Sequence, residues 1–453
     1  MASYSERLNA VIPGGAHTYS RGDDQFPSTA PQILERGEGA YVWDPSGRRY
    51  LDYGMALRAV TLGYANARVN EAAVREIGKG NNLTRASVTE LLAAEKFVEI
   101  VAAADMVKFA KNGSNATSAA VKIARAATGR RYVCVPRQHP FFSFDDWFIG
   151  STVMKRGIPA EHAATTLLFE YGDVASLTEL FNRHTGEIAA VMLEPATTVL
   201  PCPGMCSSRR LSAATPCSAC PGRDKGFLVA VRNICSDNGA LFILDEMITG
   251  FRWHLGGAQQ FFGVIPDLST FGKAMANGFA VAAVTGKREF MELGGINREG
   301  MERTFLLSTT HGGEMAGMGA FLETVKIYQE VDVVGHLWSY GAKLRDGLEQ
   351  VAANLGLSEY FKIDGPDISL NYLAYDANHT MSLAFRTLFS QEMAREGVLM
   401  PWIAVSLAHG PTELEKTLSA ADAALRVYRQ ALDSGIERFL EGNAIRPVFR
   451  RTN

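Results

Sequence analysis

The chain has 453 residues, room for about two or three domains, and 47% of them are hydrophobic, enough for a sizeable core. Its 45 basic residues stand against 48 acidic ones, a net charge of −3, which gives no electrostatic case for binding nucleic acid or an anionic membrane. No uncharged apolar run approaches the ~18 residues of a membrane span. The opening Met1-Ala2-Ser3-Tyr4-Ser5-Glu6-Arg7 lacks the apolar core of a signal peptide, so a soluble cytoplasmic enzyme is expected.

From the N-terminus, a short helix is broken by Pro13-Gly14-Gly15, which opens an extended segment carrying Arg21. Gly39 to Tyr53 reads as a β-hairpin, with alternating strands around an Asp44-Pro45-Ser46-Gly47 turn. Arg58 follows, suited either to an acidic substrate group or to a structural salt bridge. Residues 89–104 carry Leu91, Leu92, Ala94, Phe97, Val98 and Val101 at helical spacing, the pattern of a packed helix. An apolar strand then ends at Phe109-Ala110, and Lys111-Asn112-Gly113-Ser114-Asn115 opens a helix reaching to about Gly129. The unpaired N–H groups and positive dipole end of such a helix suit a phosphate.

Residues 131–135 form another buried-strand pattern, followed by the aromatic-rich Gln138-His139-Pro140-Phe141-Phe142-Ser143-Phe144-Asp145-Asp146-Trp147-Phe148. Ala189-Ala190-Val191-Met192-Leu193 is a further apolar strand with Glu194 at its carboxyl end. Beyond it Cys202, Cys206, Cys217 and Cys220 form two short-spaced pairs beside Pro-Gly turns. That arrangement suits a structural zinc with four thiolate ligands; a disulfide or redox pair, and thiols with no set role, are the other readings. Cys134 and Cys235 lie in apolar stretches and read as core.

Leu241-Phe242-Ile243-Leu244 is a continuous apolar run, as in a strand buried on both faces of a parallel sheet. It ends in Asp245-Glu246, at the edge where open α/β sheets bind ligands. One loop and a short strand over 266–271 later comes Gly272-Lys273-Ala274. A buried acid at one strand end and a lysine at another suit pyridoxal phosphate, which needs a carboxylate at its pyridine nitrogen and an amine to hold its aldehyde as a Schiff base. From about Met315 the pattern is helical, residues 369–385 alternate like strands, and 414–432 reads as an amphipathic helix. His409 reads as a satisfied structural histidine, a place near the site being the other reading.

The segments Leu244-Asp245-Glu246-Met247-Ile248-Thr249-Gly250-Phe251-Arg252 and Asp267-Leu268-Ser269-Thr270-Phe271-Gly272-Lys273 resemble the signature of class III pyridoxal-phosphate-dependent aminotransferases. Within that family the chain is most similar to the glutamate-1-semialdehyde aminomutase-like branch. The resemblance implies an α/β fold of type I. Residues 1–55 would begin a small α+β domain, 56–325 would form the large domain with a mostly parallel sheet flanked by helices and a Cys-rich insertion at 197–225, and 326–453 would complete the small domain.

The resemblance also implies roles. Lys273 would hold the cofactor and shuttle a proton, and Asp245 would pair with its pyridinium. Gly113 and Ser114 fall in the phosphate cup, where the usual Ser-Gly-Thr-Glu reads Asn112-Gly113-Ser114-Asn115. A tyrosine commonly stacks on the ring; aligning on His139 puts Gln138 there, whereas counting back from the Trp147 end puts Phe141 there, the register preferred for its flat apolar face. Glu194 would line the site near the ring oxygen. Thr310 would reach the phosphate of a neighbouring subunit's cofactor in a homodimer with shared sites. Arg21 matches an arginine that grips a substrate carboxylate, the other reading being a surface arginine on a loop.

The implied reaction moves an amino group from an amino-acid donor to a carbonyl acceptor. Residues 276–286 lack the glycine triplet and proline of the aminomutases, which favours transamination; intramolecular transfer of the glutamate-1-semialdehyde 2,1-aminomutase type is the alternative.

Overall fold

Strand Leu241–Asp245 is buried at every residue, as is Ile188–Leu193 beside it, so neither can alternate between polar and apolar faces. Both belong to a seven-stranded sheet in the computed structural model, which describes residues 2–202, 211–214, 217 and 226–452. The spatial order is Met106–Ala110, Ala282–Gly286, Leu268–Phe271, Leu241–Asp245, Ile188–Leu193, Tyr132–Pro136 and Thr166–Phe169. Ala282–Gly286 runs antiparallel to both its neighbours, and the remaining pairings are parallel. The other six strands therefore point one way and deliver Asn112, Lys273, Asp245, Glu194 and His139 to a common edge.

Helix Gly113–Thr128 packs on this sheet through Ala116, Ala119, Ala120 and Ile123, which join Val133, Met192, Ile243 and Val284 in one buried cluster. Small side chains let the helix axis approach the sheet. The helix starts where Asn112 Oδ1 accepts a hydrogen bond from Asn115 N (3.0 Å) and stops at Gly129, whose φ of 68° is open to glycine at no steric cost. The predicted helix over 89–104 spans Val88–Ile100, and it buries Thr89, Ala93 and Phe97 while Leu91 and Leu92 face outward.

The sheet lies in a unit of residues 67–335; a second unit comprises residues 1–66 and 336–453. In the second unit, Tyr41–Trp43 and Arg49–Asp52 form the predicted hairpin, flanked by Arg36–Glu38 and by Val398–Leu399, the latter parallel to Arg49–Asp52. The alternation at 369–385 resolves into strand Asn371–Ala374 and helix Leu383–Arg395, which Ser382 caps by accepting from Phe385 N (3.3 Å). His409 is fully buried against Tyr53 (ring centroids 4.6 Å apart), with Nδ1 accepting from Ser406 N (3.1 Å). Burial pushes its pKa down to about 4, as for a neutral structural histidine. No described helix is long and apolar enough to cross a membrane.

One backbone feature has no sequence signal. Met55, Ala56, Leu57 and Arg58 all have positive φ (39°, 47°, 63° and 68°), a left-handed turn without a glycine. Left-handed geometry costs L-residues roughly 1–2 kcal/mol each and persists only where the surroundings over-determine it. Here buried Asp52 accepts from Gly54 N (2.7 Å), Met55 N (3.0 Å) and Tyr64 Oη (2.6 Å), and Ala56 N donates to Tyr64 Oη (2.8 Å).

Candidate active site

Asp245 closes its strand with its side chain 2% exposed. Its Oδ1 accepts from Met247 N (3.0 Å) and from Thr270 Oγ1 (3.0 Å), Thr270 being its register partner on the adjacent strand. Burial pushes its carboxyl up to about 6, against the opposing pull of the Met247 amide, the Lys273 charge and the Thr270 hydroxyl. Both hydrogen bonds fall on one oxygen, which leaves Oδ2 for a ligand.

The adjacent Glu246 turns to a different task. Its carboxylate accepts from Ala258 N (2.9 Å), Gln259 N (2.7 Å) and the Thr249 hydroxyl, so it ties down the start of helix Ala258–Phe262. Burial raises its pKa to about 7. Neighbours in sequence thus divide into a carboxyl aimed at the site and one spent on the fold.

Lys273 follows Gly272 and heads the short 3-10 helix Lys273–Ala276 with a φ of 44°, strained for a non-glycine residue. Met247 links this strand end to the helix start at Gly113. A Cβ on Gly113 would lie 2.9 Å from Met247 Sδ, and one on Gly272 would lie 2.7 Å from it. A side chain at either position would push on the Met247 thioether, and both glycines let the backbone approach that same thioether. Thr270 and Met247 are site residues that motif reading passes over, because their role appears only when the strands assemble.

The amides of Gly113 and Ser114 have no acceptor among the described residues, as expected at a helix start. Ser114 Oγ accepts from Phe144 N (3.0 Å), and Thr117 Oγ1 donates to Phe142 O (2.8 Å). Ser118 Oγ accepts from Trp147 Nε1 (2.8 Å). The aromatic segment 141–147 is thereby sewn to the first two turns of helix Gly113–Thr128. Phe142 is buried, whereas Phe141 remains 46% exposed with its ring edge-on to Phe148 (6.0 Å).

His139 is buried and its Nδ1 accepts from Glu194 N (3.0 Å), which places its proton on Nε2. That Nε2 has no partner among the described residues, and burial holds the ring's pKa down at about 3. Glu194 is buried at the end of its strand and acts on nearby Tyr171, whose hydroxyl donates to Pro195 O (2.9 Å). Thr310 is exposed; its carbonyl accepts from Asn82 Nδ2 (2.9 Å) near the Lys111–Glu314 ion pair. Arg21 and Arg58 belong to the other unit, Arg21 in the short turn Tyr19–Arg21 and Arg58 at the end of the left-handed turn.

Of the four clustered cysteines, Cys206 and Cys220 lie outside the described residues. Cys202 and buried Cys217, one from each pair, are hydrogen-bonded, and that bond lowers the Cys202 pKa to about 7. No group of three or more metal-ligating side chains occurs among the described residues.

These residues fit pyridoxal phosphate. A buried carboxyl with one oxygen to spare stands beside a lysine, and a glycine-opened helix start lies across Met247 from both.

Comparison with known proteins agrees. The class-III aminotransferase family matches residues 20–200 and 221–360. A protein named glutamate-1-semialdehyde 2,1-aminomutase from Thermomicrobium roseum is 32% identical over 435 residues, covering 91% of this chain and 95% of that protein. One of the same name from Alkaliphilus oremlandii is 29% identical, covering 94% and 98%. The structure of the Sphingopyxis sp. MTA144 FumI protein, in its pyridoxal-phosphate internal aldimine form, superposes with a TM-score of 0.82 at 28% identity, covering 95% of this chain and 97% of that one. The chain is a member of the class III family of pyridoxal-phosphate-dependent aminotransferases, with their type I fold.

Proposed function

We propose that the chain moves amino groups with pyridoxal phosphate held between Asp245 and Lys273. The observation that carries this reading is the buried Asp245, fixed through Oδ1 beside Lys273 at the edge where six strands end. When bound, the cofactor supplies an electron sink for the substrate carbon. Asp245 would keep the pyridine nitrogen protonated, and Lys273 Nζ would bond the aldehyde carbon and later move the proton on and off the substrate carbon. The amides of Gly113 and Ser114 would take the phosphate, Phe141 would cover the ring, and Glu194, fixed by His139, would stand near the ring oxygen.

The relatives' name supports intramolecular transfer of the aminomutase type. Transamination between an amino-acid donor and a carbonyl acceptor is the second reading, supported by Ala276-Asn277-Gly278-Phe279-Ala280, which lacks a glycine triplet. Two incubations separate them. If glutamate 1-semialdehyde is isomerised while L-glutamate leaves the yellow pyridoxal form unbleached, transfer is intramolecular. Stoichiometric bleaching by L-glutamate with release of its oxo acid assigns transamination. A colourless protein that does neither sinks both.

A homodimer with Thr310 reaching the partner's cofactor is part of the same proposal. It is supported by outward apolar side chains on the sheet-bearing unit, Val74 (64% exposed), Val88 (73%) and Leu91 (58%) among them. A structural zinc on Cys202, Cys206, Cys217 and Cys220 is supported by their spacing and by the meeting of Cys202 with Cys217. Native mass spectrometry should show twice the 49.2 kDa chain mass with one zinc per chain. A monomer mass rejects the first, and a metal-free dimer rejects the second.

A further inference from the structure

After strand Ile188–Leu193 the chain runs from Glu194 to Cys202 through a segment fastened at both ends. Pro195 O accepts from the Tyr171 hydroxyl (2.9 Å) and Pro201 O from Phe227 N (3.2 Å). The rings of Tyr171 and Phe227 themselves meet edge-on, with centroids 4.9 Å apart. Between these anchors a tight turn is closed by Thr197 N to Val199 O and by Val199 N to Thr197 Oγ1, both at 3.2 Å. Glu194 opens the segment with its amide held by His139 (3.0 Å), and Cys202 ends it.

Cys202 and Cys217 both remain thiols, and a hydrogen bond brings their sulfurs together. Cys202 is half-buried and Cys217 is buried. A solvent-borne oxidant therefore reaches the first sulfur while the second waits behind it, the arrangement in which one thiol is oxidised and its neighbour resolves it. Sulfurs already in contact need little movement to reach the ~2.05 Å of a disulfide. Tyr171 ties this pair to the far end of the segment. Burial drives its hydroxyl pKa far above the ordinary value and the charges of Glu194 and Cys202 add to the rise, so both groups lie near that hydroxyl.

We propose that Cys202 and Cys217 are a peroxide-sensitive pair whose disulfide stiffens the segment back to Glu194. The Cys202 sulfur attacks one peroxide oxygen; the O–O bond breaks, the thiol proton leaves with the second oxygen as water, and Cys202 is left as a sulfenic acid. The Cys217 sulfur then attacks the Cys202 sulfur. The S–S bond forms, the S–O bond breaks, and the departing hydroxyl takes the Cys217 proton as a second water. Two thiols are thus oxidised by two electrons, and the peroxide is reduced to water. Were zinc held by the four thiolates, the same closure would remove two of its ligands and release it, so metal changes the starting state and not the product.

The full chain, purified reduced and treated with an equivalent of hydrogen peroxide, tests this. The wild type should lose two of its thiols to alkylation, non-reducing peptide mapping should join Cys202 to Cys217, and dithiothreitol should restore both thiols. Cys217→Ser should stop at the sulfenic acid, captured on Cys202 by dimedone, and Cys202→Ser should keep its remaining thiols. Amide hydrogen exchange over residues 196–202 should slow several-fold in the oxidised wild type and stay unchanged in treated Cys202→Ser. The proposal is overturned by wild-type thiols that survive peroxide, by a disulfide joining Cys202 to Cys206 or Cys217 to Cys220 instead, or by exchange over 196–202 that the disulfide leaves unmoved. None of these readouts depends on cofactor or turnover, so the proposed function stands or falls separately.

Discussion

Lys273→Ala is expected to lose turnover by ~10²–10⁴-fold from proton transfer alone, and by more when the lost covalent attachment is included. The backbone should survive the change, because alanine meets the same φ of 44° that lysine already accepts there. The variant should still bind pyridoxal phosphate through Asp245 and the Gly113–Ser114 amides. Borohydride reduction followed by intact-mass measurement should then fix the cofactor to the wild-type chain and leave the variant at its unmodified mass. A variant that turns over like the wild type, or gains the cofactor mass at another lysine, removes Lys273 from the chemistry.

Asp245→Asn separates stability from function. Burial holds the Asp245 carboxyl at about 6 against an ordinary value of 3.8. A raised acid favours the folded chain while protonated, so its contribution is complete below about pH 4 and is lost as the pH rises through about 6. At ~1.4 kcal/mol per unit, the ionised group costs the apoprotein roughly 3 kcal/mol above that range. Asparagine keeps an acceptor for Met247 N and Thr270 Oγ1 without the charge. The apo variant should therefore melt higher than the apo wild type at pH 8, with the gap closing toward pH 4. Its activity should fall by ~10²–10³-fold, the usual cost of removing one preorganised electrostatic partner. An apo variant no more stable than the wild type at pH 8 contradicts the burial argument, and undiminished activity contradicts the role.

Much of this site is legible in the sequence because its strands are buried on both faces and end abruptly. Leu241 to Leu244 could not be exposed without displaying four residues that avoid water, and the acid after them had to lie at a sheet edge. The division of labour between Asp245 and Glu246 is not legible, since it depends on where the amides of Ala258 and Gln259 arrive. Nor is the packing of Met247 against Gly113 and Gly272, which are far apart along the chain. The direction of Ala282–Gly286 is hidden too, because an apolar run reads the same whichever way it enters a sheet. Periodicity overruns at 369–385, where only Asn371–Ala374 is a strand and helix Leu383–Arg395 begins before the stretch ends. The left-handed turn at 55–58 has no glycine or asparagine to announce it; only Asp52 and Tyr64, once folded, account for it.

The position of Ala282–Gly286 also bears on the order in which the molecule can be assembled. That strand is the wedge joining Met106–Ala110 to Leu268–Phe271. A chain emerging from the ribosome cannot seat its early first strand until more than three-fifths of its length has been made, and the lysine-bearing strand keeps an open edge until then. Closing the sheet late is slow and leaves apolar edges exposed to other chains meanwhile. Nascent fragments ending before Gly286 should therefore be the ones that need protection from aggregation.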